Sequence, residues 1–164
     1  MSEKDELFMA EAIKEAIKAK EAGEVPVGAV IVKNGTVIAG GHNRRETEKN
    51  ALYHAEIEAI DHACKVLGGW RLPGCSLYVT LEPCPMCAGA IINSRIERVV
   101  YGCKDTKAGS IESIISINDY PYNHKFDFTS GILEEECSSL LTDFFTELRN
   151  QRKCKSEDLP VDTE

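Results

Sequence analysis

The chain has 164 residues, 43% hydrophobic and 28% charged, enough for one compact domain with a real core. No apolar run approaches the ~20 residues of a membrane helix, and the charged residues 1–5 lack the apolar stretch of a secretory signal. The net charge of −8 counts against a nucleic-acid binder, because Lys and Arg supply most phosphate affinity. The basic residues are grouped, however: Arg44 with Arg45, Lys104 with Lys107, and Arg149 with Arg152, Lys153 and Lys155 near the C-terminus. Seven scattered cysteines, an odd number, read as a reduced set from a cytoplasmic protein rather than a disulfide framework.

In chain order, residues 5–22 predict an amphipathic helix, with Met9, Ile13, Ala16 and Ile17 at i, i+4, i+7 and i+8. Residues 25–32 are apolar and β-branched, and Asn34-Gly35 turns the chain into a second strand at 36–40. A second helix starts near His54, with Ile57, Ile60, Ala63, Cys64 and Leu67 on one face, and stops at Gly68-Gly69. Residues 76–80 form a buried strand. Pro85 opens a helix to about Asn93, since proline is tolerated in a first turn. Another strand covers 98–101, and a long helix covers 134–151 with Leu140, Leu141, Phe144, Phe145 and Leu148 inward. The order α-β-β-α-β-α-β-α predicts an α/β fold, a mixed sheet with helices on both faces. The domain is expected to span 1–155, with a frayed tail at 156–164.

The chemistry is concentrated in His54-Ala55-Glu56 and in Pro83-Cys84-Pro85-Met86-Cys87, which follows 30 residues later (84 − 54). His54, Cys84 and Cys87 are three ligands suited to Zn²⁺, and three ligands leave the fourth position that a catalytic zinc needs. Cys84 and Cys87 are three apart, so both sulfurs lie on one side of a helical turn. At a helix start, free N–H groups and the dipole favour thiolate. His54 and Glu56 would diverge by about 200° within a regular helix. They converge only if His54 lies at the helix mouth, which places the metal between two helix N-termini. Glu56 is then the proton shuttle. His42 is read as packing and His62 as exposed, while Cys75 and Cys103 are read as small buried cysteines rather than a fourth ligand. The small apolar face of Ala88, Gly89, Ala90 and Ile91 suits close packing against a second copy.

The H-x-E and P-C-x-x-C pairing is the known signature of zinc-dependent nucleobase deaminases. With Glu24-Val25-Pro26-Val27-Gly28, His42-Asn43-Arg44, Leu77 through Pro83, Asn123-His124 and Asp143-Phe144-Phe145 beside it, the chain resembles the bacterial tRNA-specific adenosine deaminases of the cytidine deaminase superfamily. The resemblance covers about residues 5–153. It implies a three-layer α/β/α cytidine-deaminase-like fold, a homodimer, and hydrolysis of adenosine to inosine at the wobble position of a tRNA anticodon. It also implies zinc on His54, Cys84 and Cys87, proton transfer by Glu56, and substrate recognition by Asn43. Asp105, Lys107, Asn123, His124, Phe145 and Arg149 resemble positions lining the anticodon-loop groove, where aromatic faces stack bases and cations hold phosphates. Arg44, Lys107, Arg149 and Arg152 are the expected phosphate contacts.

Two segments depart from the family pattern: Ala51-Leu52-Tyr53 before the zinc histidine, and Ala108 through Ile114 after Lys107. They are expected to put bulk (Tyr53) and negative charge (Glu112) at the substrate mouth. Deamination of a free base or nucleoside, such as guanine, cytosine or an adenine derivative, therefore stays open as a second reading. A non-catalytic RNA-binding subunit is a third, and the intact Glu56 speaks against it. No membrane association is expected, and the sequence points to no protein partner beyond a second copy.

Overall fold

The computed structural model describes residues 2–157. In order these form α1 (Glu3–Glu21), β1 (Gly28–Lys33), β2 (Thr36–His42), α2 (Ala55–Leu67), β3 (Cys75–Leu81), α3 (Pro85–Ser94), β4 (Arg98–Cys103), a 3-10 turn (Ile117–Asp119), β5 (Asp127–Thr129) and α4 (Glu134–Glu157). The sheet runs β2-β1-β3-β4-β5. β1 is antiparallel to β2 and β3, whereas β3, β4 and β5 are mutually parallel. Asn34 and Gly35 both take positive φ (51° and 73°), the two-residue turn that matches strand twist.

Alternation along the strands makes three layers. Ala29, Ile31, Leu77, Val79, Val99 and Tyr101 meet the alanines of α2 and Ala88, Ile91 and Ile92 of α3. Val30, Val32, Tyr78 and Val100 face the other way, against Phe8, Met9 and Ala12 of α1 and Cys137 of α4. The expected α/β/α arrangement and mixed sheet are both present, and among the described residues no helix is long and apolar enough to cross a membrane.

Several local expectations are corrected. β1 begins only at Gly28, so Val25 to Val27 form an irregular approach rather than strand. In α2 the buried face is Ala55, Ala59 and Ala63, while Leu67 is exposed and Ile57, Ile60 and Cys64 are half-buried. The alanines are needed there because α2 lies directly on β2: a Cβ on Gly41 would meet the Ala55 carbonyl at 2.6 Å. In α4, Leu140, Leu141, Phe144 and Leu148 are only half-buried and Phe145 is exposed. α4 also continues to Glu157, so the first two residues of the expected tail are helical; 158–164 lie outside the described residues. β5 has three residues and no apolar alternation long enough to register in sequence.

α1 is tied to the sheet by a partly buried ion pair. Arg98 donates from both terminal nitrogens to Asp5, at 2.8 and 2.9 Å, and the Tyr78 hydroxyl donates to the same carboxylate at 2.8 Å. The Arg98 hydrogen bonds hold the Asp5 carboxyl below its ordinary range. Asp5→Ala should cost about 2–3 kcal/mol, less than the ~3–5 of a fully buried broken pair because water reaches Arg98. A carboxylate depressed on folding stabilises fully above its unfolded value of ~3.9 and stops doing so as pH falls through the folded value. In urea titrations the gap between parent and Asp5→Ala should therefore close as pH drops below ~4. A gap independent of pH would mean that packing, not charge, makes the difference.

Candidate active site

His54 is the N-cap of α2, in extended conformation (φ −80°, ψ 154°), and Cys84 is the N-cap of α3 with Pro85 behind it in the first turn. The two helix mouths meet at the carboxyl end of β3. There the His54 Nδ1 lies 3.6 Å from the sulfur of Cys84 and 3.6 Å from that of Cys87. A tetrahedral zinc with ordinary bond lengths requires nitrogen–sulfur separations of roughly 3.5 Å, so the donor set fits the metal. Among the described residues these three form the only His/Cys/Asp/Glu group with metal-binding spacing. Cys75 and Cys103 are buried elsewhere in the core, as expected. Without metal, hydrogen bonds from Cys87 and His54 pull Cys84 down to about 4, while its bond to Cys84 and then burial push Cys87 up.

Glu56 follows in the first turn of α2 and is 4% exposed. Burial pushes its carboxyl up to about 7, the range in which a group can both take and return a proton near neutrality. His54, Glu56 and Cys84 line a cavity of about 280 Å³, walled by Val25, Val27, Asn43, Arg45, Ala55, Leu81, Glu82, Asp105, Ala108 and Phe145. That volume is at the small end of ligand sites, room for a base-sized group rather than a whole nucleotide.

The sequence-predicted residues divide. Asn43, Asp105 and Phe145 line this cavity. Asn43 is braced by a bond to the Val25 carbonyl (3.2 Å) and by the Arg45 N–H (3.2 Å). The Asp105 carboxylate accepts from the Lys107 and Ala108 N–H groups, and Phe145 stands 40% exposed at the mouth. Lys107 and Arg149 are exposed but outside the wall. Asn123 and His124 do not line it: His124 bonds the Ile96 carbonyl at 2.6 Å, just beyond the far end of α3.

Both expected obstructions are absent from the mouth. Tyr53 packs under the Arg44 guanidinium, 5.2 Å from ring centroid to cation, outside the cavity wall. Glu112 accepts from the buried Tyr101 hydroxyl and pairs with Lys104 at 3.4 Å, while Ile111 is in the core. Arg44 is not a free phosphate contact either, since it pairs with the buried Glu58 and with Glu48. Its neighbour Arg45, which sequence reasoning passed over, lines the cavity instead. Two further residues were missed in role. Glu24 accepts from the Glu46 N–H and from the N–H and hydroxyl of Thr47, and Glu82 binds the loop after β4. Their signal was a carboxylate in an otherwise apolar motif, Glu24-Val25-Pro26-Val27 and Leu81-Glu82-Pro83.

Residues 2–103 match the model of the cytidine and deoxycytidylate deaminase zinc-binding region. The chain belongs to that zinc-dependent deaminase family. A curated relative, the tRNA-specific adenosine deaminase of Bacillus subtilis, is 54% identical over 156 residues, 94% of this chain and 97% of that one. A solved structure from work on A-to-I editing by tRNA:A34 deaminases at the wobble position superposes with a TM-score of 0.80 at 47% identity, covering 82% of this chain and 99% of the other. The guanine deaminase of Bacillus subtilis is more distant, at TM-score 0.58 and 35% identity over 75% of this chain and 88% of its own. Zinc is the deaminase's cofactor, and His54, Cys84 and Cys87 are the residues placed to hold it. When bound, zinc acidifies a water, lowering its pKa from ~15.7 toward ~7.

Proposed function

We propose that this deaminase converts adenosine to inosine at the wobble position of a tRNA anticodon, in the cytoplasm, as a homodimer. The observation that carries the reading is the way the base-sized cavity opens onto α4. Phe145 stands at the mouth, and Arg149 and Arg152 follow at i+4 and i+7 on the same helical face. A flipped base can enter while the strand runs outward over an aromatic ring and then over cations. Arg45 lines the same cavity, and Lys107 lies in the loop that carries Asp105 and Ala108, so two further cations adjoin the opening of a chain that is acidic as a whole.

Within the cavity, Asn43 orients the base and the walls of Val25, Val27 and Leu81 exclude bulk water. Glu56 takes a proton from the attacking water and delivers it to a ring nitrogen as the new C–O bond forms at the amine-bearing carbon. It then takes the second proton from the hydroxyl now on that carbon and passes it to the leaving nitrogen; the C–N bond breaks as the carbonyl forms, and ammonia departs.

A second copy is supported by the outer face of α3. Ala88 and Ile91, expected on that face, are in the core, and the outward residues are Pro85, Gly89 and Asn93. A Cβ on Gly89 would meet nothing within 4 Å, and the exposed Ile115, Tyr120 and Tyr122 flank the groove beside it. Asn123 and His124 adjoin this face, which suits their reaching a partner's substrate rather than their own chain's. Sedimentation at assay concentration should show a dimer, and a fully active monomer would contradict it.

Substrate is tested by measuring wobble inosine in tRNA and ammonia release from free bases across a salt series. Affinity for the RNA should fall by about 0.7 log units per phosphate neutralised for each tenfold rise in salt. Neutralising Arg149 and Arg152 together should raise KM for RNA roughly 10-fold and flatten that salt slope by about 1.4 log units. Salt-insensitive turnover of guanine, with both arginines dispensable, would replace this reading with free-base deamination.

A further inference from the structure

Glu82 sits between the last residue of β3 and the metal ligand Cys84, and it is 1% exposed. Its backbone N–H continues the β3–β4 ladder to the Cys103 carbonyl at 2.9 Å, so the main chain at this point is held by the sheet. The side chain turns into the loop that follows β4. Oε1 accepts from the N–H groups of Ile111 (3.1 Å), Glu112 (2.8 Å) and Ser113 (3.0 Å). Oε2 accepts from the Asp105 N–H at 3.1 Å and from the Ser113 hydroxyl. Five donors from one loop converge on one carboxylate.

That loop carries Asp105 and Ala108, two walls of the cavity, and Lys107 beside them. It also closes on itself around the carboxylate: Gly109 passes so near that a Cβ there would lie 2.3 Å from Oε2 and 2.5 Å from the Asp105 carbonyl. The Ser110 N–H donates to the Pro83 carbonyl at 2.9 Å, fastening the same loop to the residue between Glu82 and Cys84. One four-residue segment, 81–84, thus holds a metal ligand at one end and the substrate-side loop near the other.

We propose that Glu82 is a positioning residue, setting the substrate wall formed by residues 105–113 at a fixed place relative to the metal ligands. It acts through the loop and not on the substrate, because both carboxylate oxygens are already occupied by loop donors. Only an ionised carboxylate fits: an amide in its place turns a donor toward N–H groups that can only donate. The carboxylate also holds the loop by charge-assisted bonds, which survive where a short irregular segment would otherwise fray.

The kinetic test rests on the RNA reading above, and a second measurement does not. Glu82→Gln and Gly109→Ala disturb the same contact from opposite sides. Both should keep about one zinc per chain and raise KM for the anticodon RNA about tenfold, with kcat within about threefold of the parent. In both, hydrogen exchange should accelerate at Asp105 and at residues 111–113, while β1 and α2 keep their protection. Unchanged exchange in this loop overturns the proposal whatever the substrate is. So does unchanged KM in variants whose parent makes wobble inosine, or loss of zinc, which would make Glu82 a support of the metal instead. A parent that makes no inosine at all sinks the RNA reading alone, and the exchange result still decides the role of Glu82.

Discussion

A Glu56→Gln variant is expected to fold and bind zinc as the parent does while its kcat falls about 10²–10⁴-fold. The side chain is buried at the cavity wall, two residues beyond a metal ligand, and is not itself part of the His54–Cys84–Cys87 group. Glutamine fills the same volume, so neither a void nor a lost ligand accompanies the change. What disappears is the ability to take and return a proton. KM should move little, because the cavity walls that bind the base are untouched, and a fall in kcat alone is the mark of an interaction used in the transition state. Metal analysis beside steady-state kinetics checks both halves. Loss of zinc would make Glu56 a ligand, and retained turnover would require another proton carrier.

Cys84→Ala should remove the metal altogether. Two remaining protein ligands are too few for zinc, which takes three in catalytic sites and four in structural ones. The loss also reaches stability. A ligand that binds only the folded chain adds about 4 kcal/mol when its free concentration is a thousand times Kd. The variant should therefore melt where the chelated parent melts, and well below the zinc-loaded parent. Equal melting of all three would mean that metal and fold are uncoupled here. One full equivalent of zinc in the variant would show that a different set of residues holds it.

The metal centre was legible in the sequence because each of its two halves is local, although the fold alone brings His54 against cysteines 30 and 33 residues away. Pro85 marks a helix start, so Cys84 and Cys87 fall at its N-cap and in its first turn, with their sulfurs on one side. The two-residue spacing of His54 and Glu56 admits convergence only at a helix mouth, and His54 is an N-cap. The order of the principal elements followed from the same short-range signals: Asn34-Gly35 for the hairpin, Pro85 for α3, and apolar periodicity for the layers. β5 did not follow, because three residues carry no period.

Tertiary structure decided which side chains reach the substrate. Arg44 and Arg45 are adjacent in an irregular loop, where no periodicity says which way a side chain points, and the first is consumed by Glu58 while the second lines the cavity. Tyr53 and Glu112 lie near the site in sequence, yet a guanidinium and a buried phenol from other parts of the chain draw them away. Glu24 and Glu82 bind loops whose nearest donors are 22 and 23 residues distant along the chain, so the local pattern marks each as an odd carboxylate in an apolar motif without showing what it binds. Ligand type and helix-end spacing are short-range properties that sequence by itself determines. The cavity wall is a set of long-range pairings between charged groups and irregular backbone, settled only when the sheet brings those segments together.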